Sequence, residues 1–188
     1  MTFFISFSVV LVHELSHLLA ALLSDVKVHS IVVLPFGMTL RLSSDVIRYP
    51  KKEVIIALAG PFSNVIMLAV AQIFYKDFLN NLNFLVFLVV NWSVLLLNLL
   101  PVPPLDGGRV LRAILIKNAG LIKSVGIVKK VSKIFIFIVF ALGLFLLFIT
   151  RGNPSLCIIG AFLAFSLIEE KKSSDILIMN ELIYEKEK

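Results

Sequence analysis

Val9-Val10-Leu11-Val12-His13-Glu14-Leu15-Ser16-His17-Leu18-Leu19-Ala20-Ala21-Leu22-Leu23 is the stretch that decides the reading of this chain. It ends an apolar run that starts at Met1 and is interrupted only by Thr2, Ser6, Ser8, Ser16 and the titratable trio His13, Glu14 and His17. About 20 apolar residues suffice to cross a bilayer as a helix. An ionisable side chain at mid-bilayer costs roughly 2.5 to 3.5 kcal/mol on insertion scales. Three in one turn therefore need a partner that offsets the cost, and a divalent metal is the simplest.

The spacing suits a metal. Residues four apart share one helix face, about 6 Å apart along the axis. Two imidazoles so placed can reach one zinc at about 2.0 to 2.1 Å. Glu14, rotated about 100° from His13, stands beside that point, where it can take a proton from water. This is the His-Glu-x-x-His arrangement of zinc metalloproteases.

The rest of the chain supports a membrane setting. Of its 188 residues 59% are hydrophobic, and mean hydropathy is +1.01, against about 45 to 50% apolar residues in a soluble domain. Five apolar spans are read, at about 2–23, 54–74, 82–100, 131–149 and 155–168, with boundaries good to about two to four residues. The last is short for a span. The one cysteine, Cys157, excludes an internal disulfide and reads as a packing residue. No basic segment precedes the first apolar run, so it reads as a retained span rather than a cleaved signal.

The formal net charge is +6, and its placement reports topology. Lys27, Arg41, Arg48, Lys51 and Lys52 fall in 24–53; Arg109, Arg112, Lys117, Lys123, Lys129, Lys130 and Lys133 in 101–133; Lys171, Lys172, Lys186 and Lys188 in the tail. The other two loops hold only Lys76 and Arg151. Basic loops face the cytoplasm, which puts the N-terminus outside. The partners this predicts are the lipid bilayer, anionic headgroups included, and no nucleic acid.

Between the spans, residues 26–43 read as an interfacial β-hairpin. Strand-prone residues lead into Leu34-Pro35-Phe36-Gly37, a turn signal, and Met38, Leu40 and Leu42 alternate with Thr39, Arg41 and Ser43. It serves either as a flap or as an edge that pairs with an extended substrate. His29 there reads as an interfacial histidine. In the second span Pro61 predicts a kink, Gly60 a close helix approach, and Asn64 either interhelical packing or a donor to substrate. After the third span, Pro101, Pro103 and Pro104 exclude a helix, and Gly107 and Gly108 permit unusual backbone angles. Asp106 reads either as a helix N-cap or as a third metal ligand, since catalytic zinc sites use three protein ligands and leave one position to water. Residues 109–130 read as a basic, partly amphipathic helical connection.

Val12-His13-Glu14-Leu15-Ser16-His17, Ala59-Gly60-Pro61-x-x-Asn64 and Asn98-x-x-Pro101-x-Pro103-x-Leu105-Asp106-Gly107-Gly108 together resemble the site-2 proteases, the intramembrane zinc metalloproteases. The finer likeness, through Leu34-Pro35-Phe36-Gly37 and Phe165-Ser166-x-x-Glu169-Glu170, is to the sporulation branch. The resemblance implies an all-α polytopic membrane protein of five to six transmembrane segments with a small β-hairpin. A catalytic core would occupy 1–110, accessory membrane segments 111–170 and a charged cytoplasmic tail 171–188. It implies one zinc ion on His13, His17 and Asp106, Glu14 as the catalytic base, and Asn98, then Asn64, as candidates to bond the substrate or the oxyanion.

It further implies a membrane-associated protein substrate, a sporulation sigma-factor precursor, cut at the cytoplasmic side. Inhibitory membrane proteins would be partners, in the bacterial cell membrane or the one around the forespore. That branch carries a further span before the metal helix and C-terminal nucleotide-sensing modules; in these 188 residues only twelve precede His13 and Lys188 is last. Two other classes compete: a membrane metal or ion transporter, which predicts paired broken helices and an internal repeat that the sequence lacks, and a catalytically silent scaffold, which predicts a lost ligand or a lost glutamate. A two-histidine carboxylate set also suits iron.

Overall fold

The computed structural model describes residues 2–26, 28–34, 37–42, 49–73, 81–150, 154–168 and 179. The chain divides into two compact units, Met1–Leu99 and Leu100–Lys188.

The first unit opens with helix α1, Thr2–Leu23. Its buried residues are Val9, His13, His17 and Ala21, a stripe at a strict spacing of four. The stripe carries both histidines inward, while Phe3, Phe4, Leu19 and Leu22 stay exposed on the apolar outside. Ser6, Ser8 and Ser16 turn their hydroxyls onto the carbonyls of Thr2, Phe4 and Val12 at 3.1, 2.8 and 2.8 Å. Each polar group is thereby satisfied within the helix, as a bilayer requires. Asp25 closes α1 at φ 53°, a region that Asp tolerates better than most residues. Lys52 Nζ donates to the Ser24 carbonyl at 2.7 Å, placing a cation at the negative end of the helix.

Strands β1, Val28–Leu34, and β2, Gly37–Leu42, pair antiparallel within the expected 26–43 stretch, with Leu34 opposite Gly37 and Val28 opposite Leu42. The expected turn residues Pro35 and Phe36 and the His29 side chain lie outside what is described, as does the expected tail 171–188.

Helix α2, Pro50–Ile73, starts on a proline, whose missing N–H costs nothing in a first turn. It continues through Pro61, the position at which a kink is expected. Of its buried residues, Glu53, Ala57, Gly60, Asn64, Leu68 and Ala71 form one inward stripe, flanked by Ile56 and Pro61. Helix α3, Leu82–Asn98, is capped by Asn81, whose side chain accepts from the Asn83 N–H at 2.9 Å. It buries Asn91 and Leu95. Helices α1, α2 and α3 pack against one another in this unit.

The second unit begins with the proline-rich turn. Val102 and Pro103 are buried, Leu105 N–H donates to the Val102 carbonyl at 2.9 Å, and the Pro103–Pro104 peptide is cis. Helix α4, Asp106–Ala119, follows, with Leu105 at the cap position. This corrects two expectations. Asp106 is the first helical residue rather than the N-cap, and Gly107 and Gly108 are helical rather than in unusual backbone, since Gly120 is the sole glycine at positive φ among the described residues. What requires Gly108 is space. A Cβ there would lie 2.3 Å from Pro103 N and 2.5 Å from Val102 C. Gly108→Val should therefore force the turn away from α4, at a cost of about 1–3 kcal/mol, the usual range for overpacking. A lowered thermal midpoint of the detergent-solubilised protein would register it; an unchanged midpoint would mean the turn yields freely.

Gly120, at φ 77°, ends α4 with its N–H on the Ile116 carbonyl. The expected 109–130 connection is thus two helices, and the second, α5, Leu121–Thr150, runs without interruption into the expected 131–149 span. Lysines 129, 130 and 133 interrupt the hydropathy, not the helix. α4 and α5 pack together, and Ser132 Oγ donates to the Pro101 carbonyl at 3.4 Å. Helix α6, Ser155–Ile168, lies close against α5. A Cβ on Gly143 would meet Cys157 N at 2.8 Å, and one on Gly160 would meet Phe140 Cδ2 at 3.2 Å. The two contact pairs run in opposite directions along the chain, so the helices are antiparallel, each notched by a glycine.

Thr2–Leu23, Pro50–Ile73 and Leu121–Ile149 are long and apolar enough to cross a membrane; Leu82–Asn98 and Ser155–Ile168 are apolar but shorter.

Candidate metal centre

The inward stripe of α1 brings His13 and His17 together, 1% and 3% exposed. Their rings are 4.8 Å apart and nearly perpendicular, at 83°. The far nitrogen of each ring is anchored to another side chain or to backbone. His17 Nδ1 lies 2.7 Å from the Ile56 carbonyl, which can only accept, so Nδ1 carries the proton. His13 Nδ1 lies 2.6 Å from Asn64 Oδ1 and donates to it. Both rings then turn an unprotonated Nε2 toward the same point, and these two nitrogens are 3.2 Å apart.

That spacing is a test of fit. Two acceptor nitrogens cannot bond each other, but a cation between them satisfies both. Tetrahedral zinc with bonds of about 2.0 to 2.1 Å holds two ligand nitrogens about 3.3 Å apart. Metal-ligating histidines characteristically donate their other N–H to a carbonyl or carboxylate, as both do here. The donor set and its spacing therefore fit zinc.

α2 supplies the wall behind the pair. Gly60 sits so near that a Cβ would lie 2.3 Å from His17 Nε2 and 2.7 Å from His13 Cε1. In the sequence Gly60 reads as a helix-packing residue; what it accommodates is the two imidazoles. Pro61, next to it, has no N–H to give the Ala57 carbonyl.

The other expected residues are placed as follows. Glu14, partly buried, stands off the buried stripe of α1. Asn64 is fully buried, and both ends of its amide are engaged inside the unit, Oδ1 by His13 and Nδ2 by the Asn91 side chain. Of the two sequence readings of Asn64, interhelical packing or a donor to substrate, these contacts correspond to the first, and they make it part of the histidine support. Asn98, the last residue of α3, is partly buried and donates one Nδ2 hydrogen to the Val94 carbonyl at 3.0 Å. In the second unit Asp106 is 5% exposed, and Arg109 Nη1 approaches its Oδ1 at 3.7 Å, one helical turn on.

Among the described residues four buried polar ones escaped the sequence reading: Asn91, Glu53, Ser124 and Ser132. Asn91 is a lone amide in the apolar run of α3, and that isolation was the signal that could have found it. Glu53 is 2% exposed in the first turn of α2; in sequence it merges with the basic loop.

Comparison with known proteins follows the same line. The sequence profile of peptidase family M50 matches residues 1–78 and 67–142. Stage IV sporulation protein FB of Bacillus subtilis is 31% identical over 163 residues, 86% of this chain and 56% of that protein. A zinc metalloprotease of Methanocaldococcus jannaschii is 31% identical over 176 residues, 90% of this chain and 49% of that protein. The chain thus spans about half the length of the curated relatives it matches. Among solved structures, the site-2 protease from Methanocaldococcus jannaschii superimposes with a TM-score of 0.60 at 30% identity, covering 89% of this chain and 76% of that one.

Proposed function

This chain belongs to peptidase family M50, and on that premise we propose that it is a zinc-dependent intramembrane endopeptidase. It hydrolyses a peptide bond of a membrane-associated protein at the cytoplasmic face. The observation that carries the reading is the histidine pair: two buried Nε2 atoms 3.2 Å apart, each ring proton tied back to a fixed acceptor.

His13 and His17 would hold the metal, and Asp106, a buried carboxylate at the start of α4, would be the third ligand. A zinc ion bound there would supply Lewis-acid polarisation of the scissile carbonyl and of the attacking water. Glu14 accepts the proton of the attacking water and delivers it to the leaving nitrogen. Asn98 spends one amide hydrogen on Val94, and the second hydrogen bonds the substrate carbonyl as charge develops on it. A transmembrane substrate must unwind locally first, because its carbonyls are otherwise held in its own helix.

We propose a membrane-tethered sigma-factor precursor as the substrate, the membrane around the forespore as the setting and membrane-protein inhibitors as regulators; the 31% identity to a stage IV sporulation protein supports the sporulation reading. The test is reconstitution with such a precursor in lipid vesicles. A chelator should abolish cleavage as bound zinc falls, and added zinc should restore it. Cleavage that persists once the metal has been removed would overturn the reading.

A further inference from the structure

Asn91 lies on α3, yet it decides the chemistry of a histidine on α1. The argument is one of hydrogen-bond polarity. A neutral amide side chain has one accepting end and one donating end, and a half-turn exchanges them. If Asn64 flipped, its Nδ2 would face His13 Nδ1. His13 would then have to accept there, and its proton would move to Nε2, the atom required for the metal. The 2.6 Å contact to Asn64 Oδ1 does not by itself forbid this.

The wider network does. Asn91 Nδ2 donates to the backbone carbonyl of Asn64 at 3.4 Å. A backbone carbonyl only accepts, so this bond fixes which way the Asn91 amide points. Asn91 Oδ1 then faces Asn64 Nδ2 and is its close acceptor; the Asn91 main-chain carbonyl, 3.5 Å away, is beyond the range of a strong hydrogen bond and leaves the orientation to the side chain. Asn64 Oδ1 is left facing His13. Both asparagines are fully buried, so water cannot substitute for either. His17 receives the same instruction in one step, from the Ile56 carbonyl. Each histidine tautomer is thus set by a main-chain carbonyl of α2, directly for His17 and through two amides for His13.

We propose that Asn91 is a positioning residue which, by locking the orientation of the Asn64 amide, fixes His13 in the tautomer that presents Nε2 to the metal. This deepens the zinc-protease reading and rests on it.

The experiment measures zinc retained by the purified full chain in lipid nanodiscs against a graded chelator, with thermal unfolding in parallel. The variants are Asn91→Leu, Asn64→Asp and the two together. Asn91→Leu should weaken zinc binding by about 10- to 100-fold, the range for lost outer-shell partners of ligating histidines. In the double variant the carboxylate at 64 accepts through either oxygen and has no wrong orientation, so zinc binding should return without Asn91. A packing role for Asn91 would not be rescued this way. Should Asn91→Leu not fold, Asn91→Ala with the same partner change decides. Unchanged zinc affinity in the folded single variant, or no recovery in the double, would overturn the proposal. His13→Ala is the control for the underlying reading: if it binds zinc as tightly as the wild type, the metal site itself is misassigned, whatever Asn91 does.

Discussion

Glu14→Gln should leave zinc content unchanged and lower cleavage by at least about 10²- to 10⁴-fold, the contribution typical of a positioned general base. Glutamine matches glutamate in shape, so packing gives no reason for a change. Glu14 lies off the buried stripe that carries Val9, His13, His17 and Ala21, so α1 should keep its seat on α2 and α3. What is lost is the capacity to accept a proton. Metal analysis and cleavage of the tethered precursor, measured on one preparation, separate the two roles open to this carboxylate. A fall in zinc would make Glu14 a ligand. Near-normal cleavage with normal zinc would remove it from the chemistry.

The second large effect is expected from a single methyl group. Gly60→Ala would set a carbon 2.3 Å from His17 Nε2 and 2.6 Å from its Cε1. The atoms in the way belong to buried rings tied to Asn64 and the Ile56 carbonyl, so the imidazoles can give way only by straining or breaking those hydrogen bonds. Alanine is also the better helix former by roughly 0.8 to 1.0 kcal/mol in a helix interior. The two effects have opposite signs. Overpacking costs about 1–3 kcal/mol, so the apo protein should unfold at a modestly lower temperature, the helix gain offsetting part of the loss, while zinc binding and cleavage are lost. Zinc titration followed by thermal melts would show the split. A variant that binds zinc normally would mean that α2 can retreat from α1. One that fails to fold would mean that the rings cannot leave.

The contrast between these two residues shows what the sequence discloses. His13, Glu14 and His17 are legible because helical spacing is local: one turn of α1 sets their mutual geometry whatever surrounds it. The same holds for the alternation that marked β2. Gly60 was visible as a small residue in a span, but what it accommodates depends on which helix lies opposite. Asn64 and Asn91 are 27 positions apart, and His13 and Asn64 are 51 apart. Nothing local tells whether such an amide faces a substrate, a lipid or a ring. Gly107 and Gly108 misled for a related reason. Glycine is used both for rare backbone angles and for lack of volume, and only the position of the proline turn beside Gly108 distinguishes them. The start of α5 was obscured because lysines lower hydropathy without disfavouring a helix.

The glycine notches between α5 and α6 bear on how the protein enters the membrane. α6 has 14 residues, Ser155–Ile168, about 21 Å of helix, against a hydrocarbon thickness of about 30 Å. Alone it is a poor passenger for the insertion machinery. α5 is made just before it and is more than long enough. With Gly143 against Cys157 and Gly160 against Phe140, the later helix has a fitted surface waiting as it leaves the ribosome. The pair is therefore expected to enter the bilayer as a single cargo, with the order of synthesis supplying what the length of the last helix lacks.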